Sequence, residues 1–280
     1  MPELPEVETV RRGLNQLTLN QQITGGDVLL HRTVAYPDSV EKFIEGISKT
    51  NITTWRRYGK YLLANLSPVS SPSYLGVHLR MTGQLLWLHR SEPLHKHTRV
   101  RIFFENSFEL RFVDQRTFGQ MWWVPPSFEV ENVITGLGKL AEDPFSPEFT
   151  VTYLADKLKH SRRPIKTALL DQSIIAGLGN IYADEALFLS GIRPETLCTD
   201  LKREQIEKLH PAIIEVLTKS IEAGGTTFSN FLNVSGVNGN YGGSAWVYNR
   251  AAQPCRVCAT PIQRTRLAGR SSHFCAQCQK

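Results

Sequence analysis

With 280 residues, 41% apolar and 21% charged, the chain is long enough for about two domains with cores of their own. This balance excludes collagen-like, mainly disordered and small cystine-rich classes, and no apolar run is long enough to span a membrane. Of the net charge of +6, five units fall in residues 251–280, which hold Arg256, Arg264, Arg266, Arg270 and Lys280 and no acid. A basic module of this kind suits a polyanion, nucleic acid being the usual one; a merely solvated end is the plainer alternative.

The chain opens Met1-Pro2-Glu3-Leu4-Pro5-Glu6, which lacks the apolar stretch of a signal peptide. We therefore expect a cytoplasmic protein with no membrane partner. Val7, Val10, Leu14 and Leu17 recur at helical spacing and predict a helix over 3–17. Pro2 is small enough to permit removal of the initiator Met. The chain would then begin with a secondary amine, whose pKa of about 8 leaves a useful fraction unprotonated near neutrality. Such an amine attacking a sugar C1′ forms an iminium, an electron sink for elimination. Glu3 and Glu6 are placed to act as general acid and base. The plainer reading is that acids in a first helical turn suit the helix dipole.

From 51 to 124 the pattern is β. Phe108, Leu110 and Phe112 alternate with Glu109 and Arg111, and Val77, Leu79 and Met81 with His78 and Arg80. Further strands are expected at 55–66, 98–104 and 118–124, and strands without intervening helices argue for an antiparallel sandwich or barrel. Residues 135–149, with Gly136, Gly138, Pro144 and Pro147, read as a linker. Helices are then expected at 148–159, 164–175, 181–190 and 201–222, the last capped by Asp200 and interrupted by Pro211. Gly177-Leu178-Gly179-Asn180 is a tight turn into a helix N-terminus that suits a phosphate, although a plain connection is the commoner explanation. Residues 223–249 carry no charge, six glycines and five asparagines. They read as a long loop of the kind that often covers a site, or as an inert linker.

The tail holds Cys255, Cys258, Cys275 and Cys278, spaced C-x2-C-x16-C-x2-C. Each C-x2-C turn aims two sulfurs at one point, and four thiolates complete a tetrahedral zinc shell with no place for water. One structural Zn2+ is expected. Cys198 stands alone and reads as an ordinary buried thiol.

The run Met1-Pro2-Glu3-Leu4-Pro5-Glu6-Val7-Glu8-Thr9-Val10-Arg11-Arg12-Gly13-Leu14 resembles the opening of the formamidopyrimidine-DNA glycosylase family. The resemblance continues at Gly59-Lys60-Tyr61-Leu62-Leu63, His78-Leu79-Arg80-Met81-Thr82-Gly83, Asp114-Gln115-Arg116-Thr117-Phe118-Gly119 and Leu170-Asp171-Gln172. It runs on through Ala176-Gly177-Leu178-Gly179-Asn180-Ile181-Tyr182-Ala183-Asp184-Glu185 and Gly269-Arg270-Ser271-Ser272-His273-Phe274-Cys275. These blocks keep family order across essentially the whole chain.

The resemblance implies an α+β multidomain fold: an N-terminal helix and antiparallel β-sandwich, then a helical domain with a helix–two-turn–helix and a zinc finger. The expected divisions are 1–134, a linker 135–149, 150–249 with a lesion-covering loop at 223–249, and 250–280. The implied activity is that of a bifunctional DNA glycosylase and AP lyase of base excision repair. Pro2 would be the Schiff-base nucleophile and Glu3 the proton donor, with Glu6 a supporting carboxylate. Lys60 would serve β-elimination and Arg270 δ-elimination. DNA contacts would come from His78, His97, Lys166 and Asn180, and Met81, Arg116 and Phe118 would fill the gap left by the flipped nucleotide. The implied partner is double-stranded DNA with a damaged base opposite cytosine, bound by a monomer in the bacterial cytoplasm and nucleoid.

The sister enzyme endonuclease VIII also begins Pro-Glu, but Leu4-Pro5-Glu6-Val7 and the Arg116/Phe118 pair favour the purine enzyme. A non-catalytic zinc-dependent damage-binding protein is the rival from another class. Two positions depart from the family pattern: Gln115 stands where Pro is common, and Ala259 where Gly is usual.

Overall fold

The structure, a computed structural model, describes residues 1–67, 72–226 and 233–280. Residues 227–232 of the expected 223–249 loop lie outside the described residues. The chain forms two compact units, one of residues 1–139 with 224–240 and the other of residues 140–223 with 241–280.

The first unit begins with α1 (Leu4–Leu17). Val7, Val10 and Leu14 on its inner face are fully buried, each contributing about 1.5–3 kcal/mol by leaving water. Then come β1 (Ile23–Val28), β2 (Val34–Tyr36), α2 (Val40–Ile47), β3 (Ile52–Tyr58), β4 (Tyr61–Leu66), β5 (Ser73–His78), β6 (Gly83–His89), β7 (Thr98–Phe104), β8 (Phe108–Asp114), β9 (Gln120–Val124) and the short α3 (Val130–Val133). Among the described residues they form a four-stranded sheet, β1-β7-β8-β6, and a five-stranded sheet, β2-β9-β5-β4-β3. All pairings are antiparallel except β2 with β9. One apolar core joins Leu62, Leu75 and Val77 of one sheet to Leu85, Ile102 and Phe112 of the other, with Val10 of α1 and Phe43 of α2. The expected sandwich is present.

Two sequence expectations shift here. The run 55–66 is a hairpin, broken by Gly59-Lys60 between the paired Tyr58 and Tyr61. Gly59 has φ +55, which glycine adopts at the first position of a tight hairpin turn. The strand around 77–81 ends at His78, because Arg80 turns at φ +54.

The second unit contains α4 (Val151–Leu158), α5 (Ile165–Leu169), α6 (Asn180–Leu189), α7 (Arg203–Glu222) and the hairpin β10 (Gln263–Leu267)–β11 (Arg270–Phe274). Helix α6 is buried on nearly every side from Ile181 to Phe188, as a helix at the centre of a unit must be. The expected helix at 164–175 stops at Leu169. The Asp171 backbone carbonyl then accepts the N–H groups of Ile174 and Ile175, and two successive turns carry the chain to Asn180.

Asp200 does not cap α7. It closes a short 3-10 turn, and the Lys202 N–H that opens α7 is bonded instead by Gln205 Oε1 at 3.0 Å. Nor does Pro211 interrupt that helix, which runs through it. Pro211 and Glu207 both face water, so the carbonyl left without an N–H is solvated, while Ile206, Leu209, Ile213 and Leu217 hold the helix from the buried side. Among the described residues no helix is long and apolar enough to cross a membrane.

Candidate active site

Helix α1 presents Pro2, Glu3 and Glu6 together at its N-terminus, with Glu3 and Glu6 each only 2% exposed. Glu6 Oε2 accepts the Glu3 N–H at 2.8 Å and Oε1 accepts the Thr226 N–H at 2.7 Å. Two residues on, Glu8 is gripped by Arg11 at 2.7 Å, Arg12 at 2.9 Å and Arg57 at 3.3 Å. Burial works against ionisation of Glu8, but these guanidinium contacts prevail and hold its pKa at about 2. Arg57 also bonds the Gly59 carbonyl at 3.2 Å, bracing the turn that carries Lys60.

Lys60 is buried, next to His78 across the β4–β5 pairing of Tyr61 with His78. Burial, with Arg80 and Lys60 adding to it, pushes the His78 pKa down to about 3. Its Nδ1 accepts the Arg80 N–H at 3.0 Å. His78 is thus a neutral ring able to offer an Nε2–H and no positive charge. His97 is half-buried, and its Nδ1 lies 3.1 Å from the Arg99 guanidinium. Partial desolvation, with Lys96, Arg99 and His95, lowers its pKa as well.

Met81, Arg116 and Phe118 lie on two adjacent turns joined by Asp114. Asp114 Oδ1 accepts from Thr82 Oγ1 and from the Arg116 N–H at 3.2 Å, and Oδ2 accepts the Gly119 N–H at 2.8 Å. Thr82 Oγ1 in turn accepts the Arg116 N–H at 2.9 Å. A Cβ on Gly119 would stand 2.4 Å from the Phe112 ring, so glycine is obligatory where the turn returns to the sheet. The result is an exposed Arg116 packed over a Phe118 ring that is 53% exposed, 5.0 Å from guanidinium to centroid. The ring therefore stands largely in solvent beside the Arg116 guanidinium. Asp114 and Thr82 were not singled out in the sequence, although both lie inside the quoted motifs.

In the second unit, Gln172 bonds the Leu170 and Leu178 carbonyls through Nε2 and the Gly177 N–H through Oε1. This brace fixes the turn before Asn180, the first residue of α6, whose buried Oδ1 has no partner among the described residues. Lys166 is not a surface cation. Its side chain is 1% exposed, and its Nζ bonds Asp184 at 2.5 Å and the Ser271 carbonyl at 2.6 Å. Asp184 also accepts the His273 N–H at 2.9 Å. The Lys166 ammonium, expected at the DNA, is enclosed by α6 and β11 and braces the residue after Arg270. Asp184 was the missed partner.

Arg270 is exposed and follows the two-residue turn Ala268-Gly269, whose φ values of +45 and +81 give the hairpin type that suits strand twist. The four expected cysteines converge. Their sulfurs all lie within 4.8 Å of one another, with contacts of 3.9, 3.5 and 3.4 Å. A tetrahedron with Zn–S bonds of about 2.3 Å has edges of about 3.8 Å, so the set fits one Zn2+ with no vacancy for water. Burial and the neighbouring sulfurs push the Cys278 pKa upward, a penalty that a central cation reverses. Ala259 occupies φ +62 beside this shell, which explains the family's glycine there. Cys198 is buried, as expected.

Residues 1–121 match the formamidopyrimidine-DNA glycosylase N-terminal domain, 140–231 the formamidopyrimidine-DNA glycosylase H2TH domain, and 252–280 the zinc finger found in FPG and IleRS. The chain is 77% identical over 279 residues to a formamidopyrimidine-DNA glycosylase of Nostoc punctiforme, covering all of this chain and 96% of that one. It superposes with a TM-score of 0.91 and 33% identity on a Lactococcus lactis FPG mutant in complex with a Fapy-dG containing DNA, each chain fully covered. Against MutM (FPG) from Thermus thermophilus the TM-score is 0.88 at 36% identity, covering 99% and 98% of the two chains. The chain belongs to the formamidopyrimidine-DNA glycosylase family, whose members are DNA glycosylases and AP lyases of base excision repair.

Proposed function

We propose that this chain removes oxidised purines, 8-oxoguanine and formamidopyrimidines, from double-stranded DNA and then cuts the strand by successive β- and δ-elimination. The observation that carries the reading is the N-terminal turn, in which buried Glu3 and Glu6 adjoin Pro2. With Met1 removed, the Pro2 nitrogen attacks C1′ and the base departs with the glycosidic electron pair, taking up the proton that the amine gives up. Glu3 gives a proton to the ring oxygen, so that the sugar opens to an iminium. Loss of a C2′ proton expels the 3′ phosphate, and loss of the C4′ proton from the resulting unsaturated iminium then expels the 5′ phosphate. Lys60 and Arg270 serve these two steps as cations beside the leaving phosphates, and Asn180, His78 and His97 hold the backbone.

Extruding a nucleotide costs a few kcal/mol, which insertion of Met81 and Phe118 offsets. Arg116 reads the widowed base, and its donors match the two acceptors of cytosine. Zinc, when bound, shapes the hairpin that carries Arg270 and takes no part in bond cleavage. We further infer that the chain works as a monomer in the cytoplasm, bound to nucleoid DNA.

Single-turnover excision on duplexes carrying 8-oxoguanine opposite cytosine, or an oxidised pyrimidine, tests this reading. Faster release of the purine with strand scission is expected. A faster pyrimidine reaction would place the chain with endonuclease VIII, and tight binding without cleavage would leave only a damage-binding protein.

A further inference from the structure

Two stretches of the glycine-rich segment are anchored on helix α1 within the first unit. Upstream, Gly225 sits at φ +84 with its backbone against Glu6, where an added Cβ would meet Glu6 Oε1 at 3.1 Å and Cγ at 3.2 Å. The next N–H, that of Thr226, is the one Glu6 Oε1 accepts. Downstream, Val234 is buried in the core beside Gly13 of α1, and its carbonyl accepts the Trp87 N–H at 2.9 Å. The two stretches cross where a Cβ on Gly239 would lie 2.4 Å from both the Gly224 and Gly225 carbonyls. Thr226 and Asn240 pair there as an isolated β-bridge. This crossing is a neck that only glycine backbone can form.

Glu6 joins that neck to the residue next to the nucleophile. One carboxylate oxygen takes the Thr226 N–H and the other takes the Glu3 N–H. An ionised carboxylate accepts on both oxygens, whereas a carboxamide must turn an N–H group toward one of the two donors. We propose that Glu6 is a positioning residue that latches the glycine neck to the N-terminal turn, so that the backbone beside Pro2 and the stem of the base-covering segment are set by one side chain. The latch rests on the reading of Pro2 as nucleophile. It goes beyond that reading by giving Glu6 a mechanical role in place of a proton-transfer role, with Gly225 as its counterpart.

The test is a double-mutant cycle read by single-turnover release of 8-oxoguanine opposite cytosine and by amide exchange at Thr226. Glu6→Gln opposes one donor with another, while Gly225→Ala leaves the carboxylate intact and pushes the neck away from it. Each single change is expected to slow the excision rate constant by about tenfold or more, with the double variant within about threefold of the slower single. Thr226 exchange should speed by about tenfold in both singles, while exchange within α1 stays slow. The rate constant per active molecule is the quantity compared, because a merely structural role would lower the burst amplitude and leave that constant alone. Should Gly225→Ala fail to fold, Glu6→Asp, too short to reach both donors, replaces it against Glu6→Gln in the exchange measurement.

Multiplicative effects in the double variant would overturn the latch, as would wild-type excision by Gly225→Ala. Unchanged Thr226 exchange in Glu6→Gln would do the same. Failure of the wild-type protein to release the base would instead refute the functional reading, and the exchange result would still judge the latch.

Discussion

At the N-terminal turn the carboxylates of Glu3 and Glu6 are buried, and Glu6 accepts two backbone N–H groups at 2.7 and 2.8 Å. At the C-terminal hairpin they are exposed arginines on five-residue strands, supported from behind by four sulfurs and an enclosed Lys166–Asp184 pair. The first arrangement is buried and shielded from salt. The second offers long-range charge that counterions screen. The proposed chemistry and the proposed grip should therefore answer to different perturbations, which variants can separate.

The largest expected effect comes from breaking the enclosed pair. Lys166→Ala leaves Asp184 buried without its cation and should destabilise the second unit by about 3–5 kcal/mol. A Lys166 that touched phosphate would instead lower the dependence of log K on log salt. Arg270→Ala supplies the contrast, because it should reduce that dependence by about one unit with little change in melting temperature. Denaturant melts and salt titrations on both variants decide between the roles. If Lys166→Ala moved the salt dependence and left stability unchanged, the brace would be refuted.

Next is Arg116. A guanidinium reading an unpaired base discriminates by about 1–3 kcal/mol. Arg116→Ala should therefore narrow the cytosine-over-adenine preference by about tenfold, chiefly through slower excision from the cytosine pair. Met81→Ala should slow every pair alike, since a wedge carries no sequence information. Single-turnover rates on the two duplexes measure both effects, and an unchanged preference in Arg116→Ala would remove it from this role.

Stability should also respond to pH through His78. Its folded pKa near 3 lies below the ordinary 6.5, so over that interval the unfolded chain binds a proton that the folded chain refuses. Stability from this group is thus complete above pH 6.5 and falls as pH drops toward 3, by at most about 1.4 kcal/mol per pH unit. His78→Gln should flatten that part of the profile in urea melts, and an identical slope in the variant would contradict the buried neutral ring.

The smallest effect concerns Ala259, whose φ of +62 is strained for any residue with a Cβ. Ala259→Gly should stabilise the zinc-bound finger by about 1 kcal/mol. Competition with a chelator measures this, and weaker zinc retention would show that the turn is unstrained.

These contrasts also mark what the sequence could and could not reveal. Cys255, Cys258, Cys275 and Cys278 were legible because two close pairs encode the ligand geometry locally, and the strands around Phe108–Phe112 because alternation is local too. Lys166 was not, because its burial depends on Asp184 eighteen residues on and on the Ser271 carbonyl more than a hundred residues away. Its own neighbours give no sign of either. Asp200 misled for a related reason: a good capping residue lost to Gln205, which reaches back to Lys202 within the helix itself. Glu6 was legible as a carboxylate near Pro2, but its bond to Thr226 spans 220 residues, and only folding brings the two together.

Catalysis by Pro2 is tested by borohydride reduction of the protein on a duplex with 8-oxoguanine opposite cytosine, followed by mass mapping of the cross-linked peptide. A DNA adduct is expected on the N-terminal peptide at Pro2, with cross-linking abolished when a short tag blocks the amine and DNA affinity retained. A cross-link mapped to Lys60 or to any other lysine, or full cross-linking with the tag in place, would contradict it.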